Sequence, residues 1–188
     1  MQVLVEKGVN GLTLSEVARR LGVQPPSLYK YFDSLMAIYD ELFRQGMEAH
    51  LEAMQTAMAT AEPGLGALQA GLDASGRWCL ANGPVAQLLF WRPVPHFEPT
   101  AASMAPSVEM VAIQRRALAD AVAAGELGPE ADSDDALLTV SVFIAGVFGQ
   151  ALANEPDVPW GTGRFSPLLP KLLDVLPALY PPSSTRTN

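Results

Sequence analysis

The chain holds a single cysteine, Cys79, in 188 residues. No internal disulfide can form, which fits a reducing compartment, so a cytoplasmic location is expected. Histidine is nearly as scarce. His50 and His96 share no metal-ligand spacing with Cys79, so no metal and no other cofactor is expected. A Gly-rich phosphate loop, a Gly-x-Ser-x-Gly turn and a paired histidine–carboxylate cluster are all missing, which argues against an enzyme. Alternation of apolar and polar residues never lasts beyond a few positions, and this excludes a half-buried sheet. At the start, Met1-Gln2-Val3-Leu4-Val5 meets Glu6 and Lys7 too soon for the apolar core of a signal peptide. One uncharged run, residues 136–153, approaches the length of a membrane span. It contains Thr139, Ser141 and Gln150, its flanks are acidic (Asp134, Asp135, Glu155), and it lacks a Lys or Arg anchor. A helix buried in protein on most sides is expected there, with no membrane partner.

Basic residues are also few: 12 Lys and Arg against 20 Asp and Glu, a formal net charge of −8. The deficit is uneven. Residues 1–32 carry Lys7, Arg19, Arg20 and Lys30 against Glu6 and Glu16, a surplus of two positive charges, which leaves −10 for the remainder. That asymmetry suits a small nucleic-acid module joined to an acidic body.

What is present reads as helices throughout, an all-α chain. Val3 to Lys7 is a short helix stopped by Gly8, and Val9-Asn10-Gly11 is a turn. Thr13 with Glu16 three residues on is a capping box; Leu14, Val17, Ala18 and Leu21 then repeat at helical spacing and are expected to face inward. Gly22 ends that helix. Pro25 and Pro26 open a second one running to about Tyr31, with Leu28 and Phe32 as its inward residues. Two short helices around a tight turn are the shape that places a helix in the major groove of DNA.

From Asp33-Ser34 a stripe of Leu35, Ile38, Tyr39, Leu42, Met47, His50, Leu51, Met54 and Met58 predicts one long helix of roughly 35 Å. Pro63-Gly64 breaks it. Leu65, Leu68, Leu72, Ser75 and Cys79 mark the next, and residues 84–91 form a short, very apolar one. The three prolines between Arg92 and Glu98-Pro99 forbid regular structure. Val108, Val111, Ala112, Leu118, Ala119 and Val122 predict an amphipathic helix, and Asp132 to Asp135 an acidic start for the helix over 136–153. A final helix carries Leu168, Leu169, Leu172, Leu173 and Leu176, entered at Ser166-Pro167 and ended or kinked at Pro177. The domains expected are a helix-turn-helix head at 1–45 with its motif at 13–32, a regulatory and dimerisation body at 46–180, and a disordered tail at 181–188.

Gly-Leu-Thr-Leu, Val-Ala-Arg-Arg-Leu-Gly-Val and Pro-Ser-Leu-Tyr-Lys-Tyr-Phe, in that order and spacing and followed by a long helix, resemble the tetracycline-repressor (TetR) family of bacterial regulators. The likeness covers residues 1 to about 55 directly, and the rest in helix count and order. It implies a ligand-responsive DNA-binding regulator, most simply a repressor that binds a near-palindromic operator as a homodimer and is released by a small apolar effector. Thr13 would cap the second helix and meet a phosphate. Gln24, Pro25, Pro26, Ser27 and Lys30 would face the groove, and Tyr29 and Tyr31 would reach phosphates. Arg19 and Arg20 either reach phosphates or merely solubilise their helix. In the family the opening helix is about twice as long, commonly after a basic arm, and the fourth helix usually begins with a lysine. Here only Met1 to Lys7 stand before Gly8, and Leu35 takes the lysine's place. These departures leave room for a start further upstream, and for an alternative function: a dimeric sensor or interaction module with an impaired head.

In the body, Trp78, Phe90, Trp91, Phe97, Met104, Met110, Phe143 and Phe148 are either core or the lining of an effector pocket. Arg115 is either a snorkelling edge residue or an anchor for an acidic ligand. Ala145, Gly146 and Gly149, with Leu169, Leu172 and Leu176 of the last helix, are the expected dimer interface, because small residues let another helix approach closely.

Overall fold

The computed structural model describes residues 2–183. Every regular element among them is helical, in the order α1 (Gln2–Lys7), α2 (Leu14–Leu21), α3 (Pro25–Leu28), α4 (Leu35–Met58), α5 (Leu65–Ala81), α6 (Gly83–Trp91), α7 (Ala101–Ala123), α8 (Asp134–Asn154) and α9 (Leu172–Leu179). Single 3-10 segments lie at Val9–Gly11, Pro129–Ala131 and Ser166–Lys171. Two compact units emerge, one of residues 1–49 and 81–107, the other of 50–80 and 108–188. The first unit thus takes in α6 and the start of α7 along with the expected head.

In the first unit, α1 buries Val3 and Leu4 and packs against α6. Gly8, at φ 69°, ends α1 in a conformation that a side chain would strain. The Tyr39 hydroxyl donates to the Val9 carbonyl at 2.9 Å and fixes the following turn to α4. Phe97, from the irregular 92–100 stretch, stacks against Tyr39 and Phe43, with ring centroids 5.9 and 6.0 Å apart. Helices α4 and α6 meet at Gly46, where a Cβ would stand 2.8 Å from a Val85 methyl. The Asp40 carboxylate takes hydrogen bonds from the Thr100 N–H (2.8 Å) and hydroxyl (3.0 Å) and from the Ser103 hydroxyl (2.7 Å), pinning the start of α7. Partial burial pushes that carboxyl up, but the three donors outweigh it and leave it below its ordinary range.

The second unit buries Leu68, Leu72 and Cys79 of α5, Met110, Ile113, Ala117, Leu118 and Ala121 of α7, and Ala136, Leu137, Val140, Val147, Phe148 and Ala151 of α8. The phase of α7 differs from the expected stripe: Val108 and Val111 are exposed, and Met110 and Ile113 point inward. Alanines and valines all round this helix left the pattern without a unique face. Ser133 caps α8 by accepting the Ala136 N–H at 3.3 Å, and Asp134 and Asp135 stand at its positive end. By length and composition α8 could cross a membrane, but its Ala136, Val140 and Val147 face is packed inside the chain. Its opposite face is open, so it is not buried on most sides. Pro177 does not end the last helix, which continues to Leu179. Pro181 to Ser183 are exposed coil, and residues 184–188 of the expected tail lie outside the described residues.

Candidate nucleic-acid interface

Helix α2 begins at Thr13, whose hydroxyl accepts the Glu16 N–H at 3.2 Å. The reciprocal half of the expected capping box is replaced, because the Glu16 carboxylate turns to Arg19, Arg20 and Lys7. At its other end Gly22 is left-handed (φ 67°, ψ 27°), and the Val23 N–H returns to the Ala18 carbonyl at 3.0 Å. This closing pattern satisfies the last carbonyls of α2 and sets the turn. Gln24 is extended, and Pro25 and Pro26 open α3, where a missing N–H costs nothing. Helix α2 packs on α3, and Ala18 and Leu28 are buried.

Regular helix ends at Leu28, not at Tyr31. The Leu28 carbonyl accepts both the Tyr31 and the Phe32 N–H at 2.9 Å, which tightens the last turn. Ser34 already caps α4 by accepting the Ala37 N–H, so the chain must reverse within a few residues. The polar side chains nonetheless stay outward. Thr13, Arg19, Gln24, Pro26, Tyr29, Lys30 and Tyr31 are exposed, Arg20, Pro25 and Ser27 half-buried. Tyr31 is 80% exposed, too much for a packing aromatic. Leu21 was expected inside but is 63% exposed. It lines an open cleft of about 360 Å³ together with Val3, Leu12, Val17, Phe32 and Leu42. Leu35, in the expected lysine's position, is half-buried.

Of the four cations in this module, three are engaged. Arg19 grips Glu16 through Nε (2.9 Å) and Nη2 (2.6 Å), Arg20 grips Glu6, and Lys7 lies 3.2 Å from Glu16. The Arg19 guanidinium, helped by Lys7 and Arg20, pulls the Glu16 carboxyl down to about 2 despite partial desolvation. Arg20 likewise lowers Glu6. Lys30 makes no salt bridge among the described residues.

Residues 1–42 match the sequence model of the bacterial regulatory proteins, tetR family. The chain is 31% identical over 176 residues to the tetracycline repressor protein class A from transposon 1721 of Escherichia coli, covering 92% of this chain and 73% of the repressor. It belongs to the TetR family. This TetR-family chain is thus a DNA-binding transcription regulator with an N-terminal helix-turn-helix. Its fold also matches a Rhodococcus sp. RHA1 protein of unknown function (TM-score 0.78, 22% identity, 95% of this chain and 90% of the other). A second match is the Bacillus subtilis transcriptional regulator FadR, solved in complex with stearoyl-CoA (TM-score 0.69, 17% identity, 93% and 92%).

The nine expected pocket residues of this TetR-family chain divide between the two units. Phe90, Trp91, Phe97 and Met104 belong to the first unit, where Phe90 and Trp91 are exposed edge to face and Phe97 is core. Trp78, Met110, Arg115, Phe143 and Phe148 belong to the second. Arg115 pairs with Asp134, so a structural partner already holds it. Phe148 meets the edge of Trp160, whose indole lies over Gly76 and donates to Asp73 at 2.7 Å. The sequence reading missed a polar pair in this apolar interior: His50 Nε2 lies 2.6 Å from the Ser75 hydroxyl. The signal was there, since both residues sit on apolar stripes. Burial lowers the His50 imidazole to about 4 and pushes the Cys79 thiol up to about 12. Gln114 is buried on α7, and its Oε1 has no hydrogen-bond partner among the described residues.

The interface leucines need correction as well. Leu169, Leu172 and Leu176 are buried inside the chain, because the 166–171 segment and α9 close over α8. Leu168, Val175 and Leu179 point outward instead. On α8, Ala145 and Gly146 are exposed and Gly149 is half-buried.

Proposed function

We propose that this protein is a cytoplasmic repressor that binds a near-palindromic operator as a homodimer and leaves it when a small, largely apolar effector enters the body. The observation that carries the reading is the outward polar face of Gln24, Pro26, Ser27, Tyr29, Lys30 and Tyr31 over the buried Leu28. Gln24 and Ser27 can bond base edges, Pro25 and Pro26 can touch a thymine methyl, and Lys30 can reach guanine or phosphate. Thr13, Tyr29 and Tyr31 would meet the DNA backbone.

Pairing is supported by α8. Leu138, Val142, Ala145 and Gly146 form one exposed face, and a Cβ on Gly146 would meet nothing within 4 Å of its own chain. An apolar face this long favours association with a second copy. Two heads would then stand about one DNA turn apart. Gln114 supports an effector that is apolar but carries one hydrogen-bond donor, since a buried acceptor without a partner is costly. The fold neighbour FadR was solved in complex with stearoyl-CoA, a ligand with a long apolar acyl chain on a charged carrier. Release requires the effector to prefer the conformation that cannot bind DNA, a coupling of about 1–3 kcal/mol. Helix α4 starts beside the reading face and runs on into the second unit, so it is the covalent link for that coupling.

The reading as a sensor with an impaired head is favoured by one observation, the neutralisation of Lys7, Arg19 and Arg20 by Glu6 and Glu16. In vitro selection from random duplexes with the full-length protein separates the two. Recovery of a two-fold site, bound in a salt-dependent manner, supports the repressor. A stable dimer that enriches no sequence even at low salt supports the impaired sensor.

A further inference from the structure

We infer that Glu6 and Glu16 are built-in competitors for DNA phosphate, occupying Arg20 and Arg19 until the polyanion displaces them. The inference rests on the reading of residues 13–32 as the DNA-binding face. Arg20 leaves the last turn of α2 and meets Glu6 of α1 with two parallel hydrogen bonds, Nη1 to Oε1 at 2.8 Å and Nη2 to Oε2. Its Nε also reaches Glu16 at 3.3 Å. Arg19 makes the same two-pronged grip on Glu16, and Lys7 shares that carboxylate. A guanidinium offers one fork of donors, and carboxylate and phosphate fit the same fork. Each arginine can therefore serve one anion or the other.

Both carboxyl groups are held below their ordinary range by these arginines, so they are fully charged at neutral pH. Glu6 and Arg19 are largely exposed while their partners Arg20 and Glu16 are mostly covered, so each pair has one solvent-facing member that is free to let go. When Arg20 turns to a phosphate, however, Glu6 is left uncompensated beside a polyanion. The native head should thus bind with fewer effective phosphate contacts than its four cations suggest, and with a shallow salt dependence.

The test uses full-length protein, a duplex recovered by selection and a shuffled duplex of the same length, with fluorescence anisotropy over a salt series. Glu6→Gln should raise affinity for both duplexes about 3–10-fold at moderate salt and steepen log K against log salt by about one unit. Glu16→Gln should act in the same direction through Arg19. In an Arg20→Ala background the gain from Glu6→Gln should vanish. Thermal melts confirm that each variant is folded. Native-like affinity in both glutamine variants, or a gain that persists without Arg20, overturns the inference while leaving the head a DNA binder. If native protein and every variant fail to bind at low salt, the inference falls together with the reading on which it rests.

Discussion

The two units differ in where they concentrate charge and where they leave apolar surface open. The head keeps its charges outside, tied to one another around Glu16 and Glu6, and its small core of Leu4, Leu12, Ala18 and Leu28 stays beside an open cleft. The body takes His50, Ser75 and Gln114 inside and leaves Leu138 and Val142, 63% and 72% exposed, outside. A module that must meet a polyanion needs exchangeable surface charge. A unit that must receive an apolar guest and a second copy has reason to keep polar groups within and an apolar face without. The contrast is what the proposed function calls for, with DNA at the first unit and effector and partner at the second.

The contrast breaks most visibly at the exposed face of α8. Val142 touches solvent, so Val142→Arg should fold normally yet convert the dimer to monomer, with affinity for a two-fold duplex falling at least about 100-fold as the two half-sites uncouple. Analytical ultracentrifugation beside a binding curve reads both effects. A dimer that survives the arginine would move the interface elsewhere.

A second effect belongs to the body's interior. His50 stays neutral in the fold down to about pH 4, whereas its ordinary value is 6.5. The unfolded chain therefore binds a proton that the folded chain refuses. The associated stability is intact above pH 6.5 and drains away as pH falls toward 4, roughly 2 kcal/mol by pH 5. Denaturant melts of native protein and His50→Gln across that range should diverge by this amount, and parallel curves would place the imidazole in contact with water.

The smallest expected effect is at Gln114. Gln114→Met keeps the volume and removes the acceptor that has no partner, so the melting free energy should rise by about 1 kcal/mol. A loss instead would mean that this amide is already satisfied in solution.

How much of this was legible follows the range of each signal. Gly8, Thr13, Gly22 and Pro25-Pro26 were readable as stops and starts because caps are settled within four residues. The end of α3 was not, since Ser34 begins the next helix and forces the reversal. Leu21 has the same helical spacing as its neighbours, and nothing in that spacing marks it as lining an open cleft. That α6 joins the head has no local signature, because Val85 and Leu89 meet Gly46 some forty residues away. Leu169, Leu172 and Leu176 look alike whether they face their own core or a partner's. His50 and Ser75 each looked like a blemish on an apolar stripe, and their pairing across 25 positions needed coordinates. The proposed reading face, Gln24 to Tyr31, could be named as a unit from the sequence because the motif is contiguous.

On this reading the Gln24–Tyr31 segment meets the base edges of DNA. The most direct measurement is selection from random duplexes repeated with Gln24→Ala and Lys30→Ala. The account predicts that Gln24→Ala relaxes the preference at one position in each half-site, at a cost of about 1–3 kcal/mol against the native sequence. It predicts that Lys30→Ala weakens binding with a lower salt slope. Unchanged sequence preference and affinity in both variants would contradict it.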